Sequence, residues 1–451
     1  MQIKLPDEVL YIIDILEQSG YEAFAVGGCV RDSLLEKEPQ DWDICTSALP
    51  EQMMSCFAEH HIIETGLKHG TITIMLNKKP FECTTYRVDG KYKDNRRPEN
   101  VKFVNVLKRD LARRDFTINA MAYNPKVGLV DYYDGQQDLI AKQIKCVGNA
   151  DKRFSEDALR IMRALRFASV FGFSIEENTA QAMQNNKKLL GNIAVERIAV
   201  ELNNLIVGDR VRELLSAHLP VIFEIIPELE PMAGFEQNNP YHCYDVLTHT
   251  LVSIDAAPKD LVLRLTMLFH DIGKPKCYTE SDDGIGHFYE HQQESSDMAG
   301  AILSRLKYDK ATSQAVKELV LYHDANIEPS KKQIKRWLNR IGHDRFLQLL
   351  EVKRADAMAQ SDTHRQAKLN AIDAILPLLD EIIALQQCFS LKDLAIDGRD
   401  LINVGITEGS EIGKILNKLV DMVIDEEVEN DKSALLECVY RQKDENLPDC
   451  S

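Results

Sequence analysis

The sequence contains no uninterrupted apolar run long enough to cross a bilayer, which argues against the helical membrane classes. It also lacks a basic-then-apolar leader. Met1-Gln2-Ile3-Lys4 runs straight into an amphipathic segment, so no signal peptide and a cytoplasmic location are expected. The ten cysteines (Cys29, Cys45, Cys56, Cys83, Cys146, Cys243, Cys277, Cys388, Cys438 and Cys450) include no Cys-x-x-Cys pair, which argues against a zinc ribbon or dithiol redox motif and for reduced thiols. Internal repeats and low-complexity segments are missing as well. So is net positive charge: 54 Lys and Arg face 71 Asp and Glu, a formal charge of −17, and as an average this counts against a nucleic-acid partner. The average conceals a local excess, because residues 68 to 123 carry thirteen Lys/Arg against six Asp/Glu, whereas the stretch from Asp425 to Asp431 is acidic. A local basic face still binds a polyanion, through more salt-sensitive contacts.

What is present begins with length enough for about two to four domains. With 44% hydrophobic and 28% charged residues, the chain has a globular balance. Its most informative stretch is Val26-Gly27-Gly28-Cys29-Val30-Arg31-Asp32, followed by Asp41-Trp42-Asp43-Ile44. The pattern predicts a strand ending in a diglycine turn, a helix over 30–35, and a second strand on which Asp41 and Asp43 share a face while Trp42 takes the other. Glycines let backbone N–H groups approach a phosphate, and paired carboxylates hold a divalent cation. Together they suit a nucleoside triphosphate seated beside magnesium.

Gly-Gly-x-Val-Arg-Asp followed by Asp-x-Asp resembles the head domain of class II tRNA nucleotidyltransferases, the family of CCA-adding enzymes and bacterial poly(A) polymerases within the polymerase-β superfamily. The resemblance implies Mg2+ on Asp41 and Asp43, with Gly27, Gly28 and Arg31 at the triphosphate. It also implies a third carboxylate on a neighbouring strand. Residues 70–76 and 80–87 alternate as a hairpin, which makes Glu82 the candidate and Asp110 its rival. Residues 88 to 100 lack periodicity and are rich in charge and turn formers, so a mobile loop is expected there. Arg113-Arg114-Asp115-Phe116-Thr117-Ile118-Asn119-Ala120-Met121-Ala122-Tyr123 matches the family's second motif. Arg114 suits forked hydrogen bonds to triphosphate oxygens, and Asp115 or Asn119 suits orienting an arginine or contacting ribose.

Ser155-Glu156-Asp157-Ala158-Leu159-Arg160-Ile161-Met162-Arg163 predicts a helix capped by Ser155, with Arg160 within reach of Glu156 and Asp157. Its Glu-Asp-x-x-Arg pattern resembles the family's nucleobase-reading motif, which implies that Asp157 and Arg160 read the base; Arg163 and Arg166 complete the nucleotide-binding set. A carboxylate accepts from the amino group of cytosine or adenine and would face a keto oxygen in uracil or guanine. Glu196-Arg197 to Leu202 resembles a further family motif, read as a helix with an internal ion pair.

Beyond Tyr241, His249, His270-Asp271, His291, His323 and Asp356 fall in series on helical segments, and six of the twelve histidines lie between His242 and His323. Imidazole and carboxylate ligands together suit a divalent metal. The series resembles the HD superfamily of metal-dependent phosphohydrolases, which implies ligands His249, His270, Asp271 and Asp356 for an unidentified divalent metal, and His291 and His323 for a second. Leu394 to Lys414 is a glycine-punctuated helix entry resembling the family's tRNA-contacting tail. The expected architecture is an α/β head of polymerase-β nucleotidyltransferase type (1–140), a helical neck (141–235), an HD-containing body (236–365) and a helical tail (366–451). The implied function is addition of C, C and A to the tRNA 3′ end from CTP and ATP. Its alternatives are an A-adding enzyme, a poly(A) polymerase, or an HD phosphohydrolase acting on nucleotides or RNA ends.

Overall fold

A computed structural model describes residues 2–90, 92–93, 95, 97–98 and 100–445. The chain forms two compact units, one of Met1–Glu230 with Ser304–Tyr308 and the other of Pro231–Leu303 with Asp309–Ser451.

The first unit opens with helix Asp7–Gln18, which has acids in its first turn and buries Val9, Ile12, Ile13 and Leu16, the one-sided spacing of an amphipathic helix. Seven strands then build one mixed sheet: β1 (Ala23–Val26), β2 (Asp43–Thr46), β3 (His61–Ile63), β4 (Thr71–Leu76), β5 (Lys79–Thr85), β6 (Met121–Asn124) and β7 (Gly128–Asp131). Their order across the sheet is β7-β6-β1-β2-β5-β4-β3. All four residues of β1 are buried, so this strand reads as continuous apolar sequence rather than alternation. β2 and β5 run parallel with Asp43 opposite Glu82. That register sets the two carboxylates side by side at the same end of adjacent strands. Phe24, Val26, Cys45 and Tyr86 pack with Leu107, Leu111, Ala120, Ala122 and Val147 in the core against the sheet.

Three local expectations are revised in this unit. The stretch 88–100 is bracketed by paired backbone, Arg87–Asp89 against Val101–Phe103 and Tyr92–Lys93 against Arg97–Pro98. The mobile-loop reading otherwise falls on Lys91, Asp94, Arg96 and Glu99, outside the described residues. Ser155 caps no helix; it sits in the last turn of helix Ala150–Glu156, which starts earlier because the Asn149 side chain accepts from Lys152 N. The chain breaks at Asp157, whose backbone is extended (φ −138°), and resumes as helix Leu159–Phe171. Helix Val195–Ile206 packs on that helix, and its Glu201 pairs with Arg166 across the contact at 3.1 Å rather than within its own helix.

The second unit is mainly helical, with one hairpin of Tyr278–Glu280 and Gly286–Phe288. Helix Asp362–Ala384 runs through the expected boundary at 365/366. Its Lys368 and Asp373 meet Asp356 and Arg354, so body and tail share an element. The terminal helices Gly398–Asn403, Gly409–Ile424 and Lys432–Glu445 enclose a core including Leu401, Leu419, Val423 and Leu435. Of the two helix entries in the stretch expected to meet a phosphate, the first has its amides capped, Asp397 accepting from Arg399 N and Asp400 N, whereas the entry at Gly409 has no side-chain cap.

Candidate active site

The diglycine turn closes β1. Gly27 takes φ +84°, a conformation side chains rarely adopt, and a Cβ there would come 2.8 Å from Arg114 Nη1. The turn therefore requires glycine for its backbone, and a side chain there would also displace the Arg114 guanidinium packed on it. Around this turn lies a cavity of about 750 Å3 lined by Gly27, Gly28, Arg31, Asp32, Lys37, Asp41, Asp43, Arg114, Asp115, Asn119, Arg163, Arg166, Phe167 and Phe171, among others. Of the residues expected at the nucleotide, all but Glu82, Asp157 and Arg160 line it.

The arginines are held by a chain of hydrogen bonds. Arg31 donates to both carboxylate oxygens of Asp32 at 2.9 Å and to Asn119 Oδ1 at 2.6 Å. Asn119 donates to Asp115 Oδ1 at 3.1 Å, and Arg163 grips Asp115 Oδ2 through Nε (2.9 Å) and Nη2 (2.6 Å). Burial alone would raise Asp115, but Arg163, Arg160 and the Asn119 hydrogen bond hold its carboxyl well below the usual range. Asp115 and Asn119 thus orient arginines, one of the two roles anticipated for them.

Asp43 remains open to the cavity, yet the protein around it withdraws solvation and, with Glu82 and Asp41, lifts its carboxyl above the usual value against the pull of Arg114. Glu82 stands opposite Asp43 in the strand register, and Asp41 lines the same cavity. Asp110, the rival third acid, is buried and committed elsewhere: it accepts from Arg113 Nε at 3.0 Å and Arg87 N at 3.2 Å, and lies 3.6 Å from Arg114 Nη2. Its place is to hold arginines.

Asp157 is half-buried beside the break and accepts from Leu159 N at 3.1 Å. Arg160 is buried, with hydrogen bonds to Arg113 O (2.9 Å), Arg153 O (3.1 Å) and Glu156 Oε2 (3.2 Å). Residues missed in the sequence are Asp32, Lys37, Glu201, Phe167 and Phe171. The i, i+4 aromatic pair beside Arg163 and Arg166 was a legible signal for the last two.

In the second unit, His249 lies on helix Val246–Ala256 and Asp356 on helix His343–Met358; His270 and His323 end helices Leu261–Phe269 and Lys310–Tyr322, and His291 begins a helix. Asp271 belongs to two groups of potential ligands, one with His249 and His270 and one with His291 and His323. His249 Nε2 lies 3.2 Å from His270 Nε2, 2.9 Å from Asp356 Oδ1 and 3.6 Å from Asp271 Oδ2. Every one of the four rings turns Nδ1 to a backbone carbonyl: Ala359 O, Met267 O, Phe288 O and Val320 O. A proton on each Nδ1 leaves the Nε2 lone pairs pointing inward, the tautomer metal ligation needs. Both Asp271 carboxylate oxygens are buried without a well-formed hydrogen bond, although Lys274 Nζ sits 2.7 Å away. A cavity of about 480 Å3 opens onto Asp271, His291, His323 and Asp356.

Comparison with known proteins agrees with this geometry. The family model for the Poly A polymerase head domain matches residues 23–145, that for the RNA and SrmB-binding site of polymerase A matches 172–219, and that for tRNA nucleotidyltransferase domain 2 matches 283–439. The chain is 34% identical over 435 residues to the CCA-adding enzyme of Lactobacillus delbrueckii subsp. bulgaricus, covering 95% of this chain and 96% of that one. Over 219 residues it is 45% identical to the CCA-adding enzyme of Bacillus cereus, covering 47% of this chain and 55% of that one. Among solved structures, the Bacillus stearothermophilus CCA-adding enzyme in complex with CTP superposes with a TM-score of 0.68 at 28% identity, over 98% of this chain and all of that one. The Thermotoga maritima CCA-adding enzyme complexed with tRNA, at 18% identity and a TM-score of 0.63 over 98% of this chain and 97% of that one, shares the fold. With near-complete coverage at this identity, and with the motif arginines and aspartates gathered on one cavity, the chain belongs to the CCA-adding enzymes, a family of tRNA nucleotidyltransferases.

Proposed function

We propose that this chain is a CCA tRNA nucleotidyltransferase, which transfers CMP twice and AMP once to the tRNA 3′ end from CTP and ATP with release of pyrophosphate. The observation that carries the reading is the convergence of Gly27, Gly28, Arg31, Asp41, Asp43, Arg114, Arg163 and Arg166 on one cavity. Head (1–140), neck (141–235), body (236–365) and tail (366–451) are the proposed working parts, acting on tRNA in the cytoplasm. Asp41 and Asp43, with Glu82 as third acid, would hold Mg2+; the register that sets Asp43 opposite Glu82 and the opening of Asp41 and Asp43 onto one cavity support a cation there. Bound, the ion would supply Lewis-acid activation of the RNA 3′-hydroxyl and charge neutralisation at the leaving pyrophosphate. Arg31, Arg114, Arg163 and Arg166 seat the triphosphate, and Asp115 and Asn119 hold two of them in place.

Asp157 and Arg160 are proposed to read the base edge from beside the cavity. Arg160 has five N–H donors against three hydrogen bonds, so it retains capacity to donate. Asp157→Ala is expected to relax rejection of UTP and GTP by roughly tenfold to a hundredfold, as an unpaired polar group costs about 1–3 kcal/mol. Unchanged ratios of kcat/KM among the four nucleotides would refute the role.

The deciding experiment incubates the protein with tRNA ending at the discriminator base, at C or at CC, and offers each nucleotide separately. Addition of C, C and then A is expected. A-only addition or a homopolymer of A would transfer the reading to an A-adding enzyme or a poly(A) polymerase.

A second reading applies to the other unit. The four inward Nε2 atoms and the two Asp271 oxygens without well-formed hydrogen bonds favour a divalent-metal centre of HD phosphohydrolase type, with His249, His270, Asp271 and Asp356 on one side and His291 and His323 on the other. Such a centre would supply an activated water for phosphate-ester hydrolysis on nucleotides or RNA ends.

A further inference from the structure

Three guanidinium groups of the nucleotide cavity share one aromatic ring. Arg166, Arg163 and Arg31 place Cζ at 4.2, 5.2 and 5.3 Å from the centroid of Phe167. Arg31 also lies 4.7 Å from the ring of Phe171, with Lys37 Nζ at 5.1 Å from that ring. The two rings stack 5.8 Å apart and 6° from parallel, as residues four apart on one helix can. Phe116 meets Phe167 edge-on at 5.8 Å and backs it from the core.

Each arginine is also tied to one carboxylate: Arg31 to Asp32, Arg163 to Asp115 and Arg166 to Glu201. A carboxylate anchors part of a guanidinium, and a ring face restrains its plane. Three like charges in this space repel. Burial, with Arg163 and Arg31 nearby and despite Glu201, pushes Arg166 below its usual value. The negative face of an aromatic ring offsets part of that cost, and a polyanion in the cavity would offset more.

We propose that Phe167, supported by Phe171, is a positioning residue that holds Arg31, Arg163 and Arg166 as one fan for the polyphosphate of the incoming nucleotide, an inference that rests on the transferase reading of this cavity. A phenylalanine serving only the core would be replaced by leucine with some loss of stability and no selective loss of phosphate affinity.

The test combines steady-state CMP incorporation into tRNA lacking CCA with calorimetric titration of inorganic tripolyphosphate into the full chain. Phe167→Leu is expected to raise KM for CTP about tenfold, with kcat within about twofold, and to weaken tripolyphosphate by a similar factor. Phe167→Tyr, which keeps the ring face, is expected to stay within about twofold of the parent on both. An unchanged KM in Phe167→Leu, a loss confined to kcat, or an equal defect in Phe167→Tyr would overturn the proposal. Should Phe167→Leu fail to fold by its thermal melt, Phe171→Leu at the half-buried ring takes over, with a KM rise of about threefold expected and an unchanged KM overturning the idea. If the parent protein adds no nucleotide yet binds tripolyphosphate in a Phe167-dependent way, the transferase reading falls and the positioning role stands.

Discussion

Replacing Asp43 with alanine is expected to lower CMP incorporation by at least about a thousandfold, roughly 4 kcal/mol of transition-state stabilisation, while the melting temperature holds or rises slightly. The loss follows from position. Asp43 opens β2, faces the cavity beside Asp41, and stands opposite Glu82 in the parallel register of β5. The stability half follows from the sign of its perturbation. Its carboxyl is raised in the fold, chiefly by lost solvation and then by Glu82 and Asp41. A carboxylate whose folded value lies above its unfolded value weakens the fold at neutral pH, where it is ionised, and that penalty fades as pH falls through the carboxylate range. Removing the charge therefore does not remove a stabilising contact. Incorporation in parallel with a thermal melt checks both halves, and retained transfer would sink the metal assignment.

The second large effect is expected at Asp271, the residue common to both ligand groups of the other unit. The parent protein is expected to retain divalent metal through dialysis, by elemental analysis, and to melt higher with added Mn2+; Asp271→Asn should abolish both effects. Ligand-linked stabilisation of about 3 kcal/mol accompanies a metal concentration near a hundredfold above its dissociation constant. Asparagine is preferred to alanine because Lys274 Nζ lies 2.7 Å from Asp271 Oδ2 and is itself buried; a truncated partner would leave that ammonium with the neutral Gln237 Oε1 at 2.8 Å and the Phe288 ring, and, among the described residues, no carboxylate at that distance. Single substitutions of His291 or His323 should remove one equivalent at most. Full metal retention by Asp271→Asn would overturn a shared ligand.

The two sites differ in how much of them was legible. The diglycine, Asp-x-Asp and double-arginine motifs are each local: the diglycine closes β1 as a turn, the strand expected to carry both aspartates starts only at Asp43 with Asp41 just before it, and Arg114, but not Arg113, lines the cavity. The series of histidines was legible as residue types alone. What a linear reading could not supply was the choice among nearby partners. Arg160 has acids at the right helical spacing, yet besides Glu156 it bonds the carbonyls of Arg153 and Arg113, the latter from a distant part of the chain. Ser155 looked like a cap because Ser-Glu-Asp is a common helix opening; Asn149 had already started a helix upstream. The ion pair expected inside the Glu196 helix became Arg166–Glu201 because two helices pack there.

The sequence by itself determined which groups are present that could meet phosphate or a metal, and in what order they occur along the chain, because residue type and short spacing encode reactivity and face. Only the tertiary structure decided which of those groups act together. Strand register chose Glu82 over Asp110 as the neighbour of Asp43, since register is set by long-range pairing that a single strand does not carry. Packing of the diglycine turn brought Arg31 to Phe167, whose own helix already carries Arg163 and Arg166, and Ala359 O oriented His249 from a distant turn, whereas the rings of His270, His291 and His323 bond carbonyls three residues earlier. Local pattern names the parts, and burial of the chain against itself sets their distances.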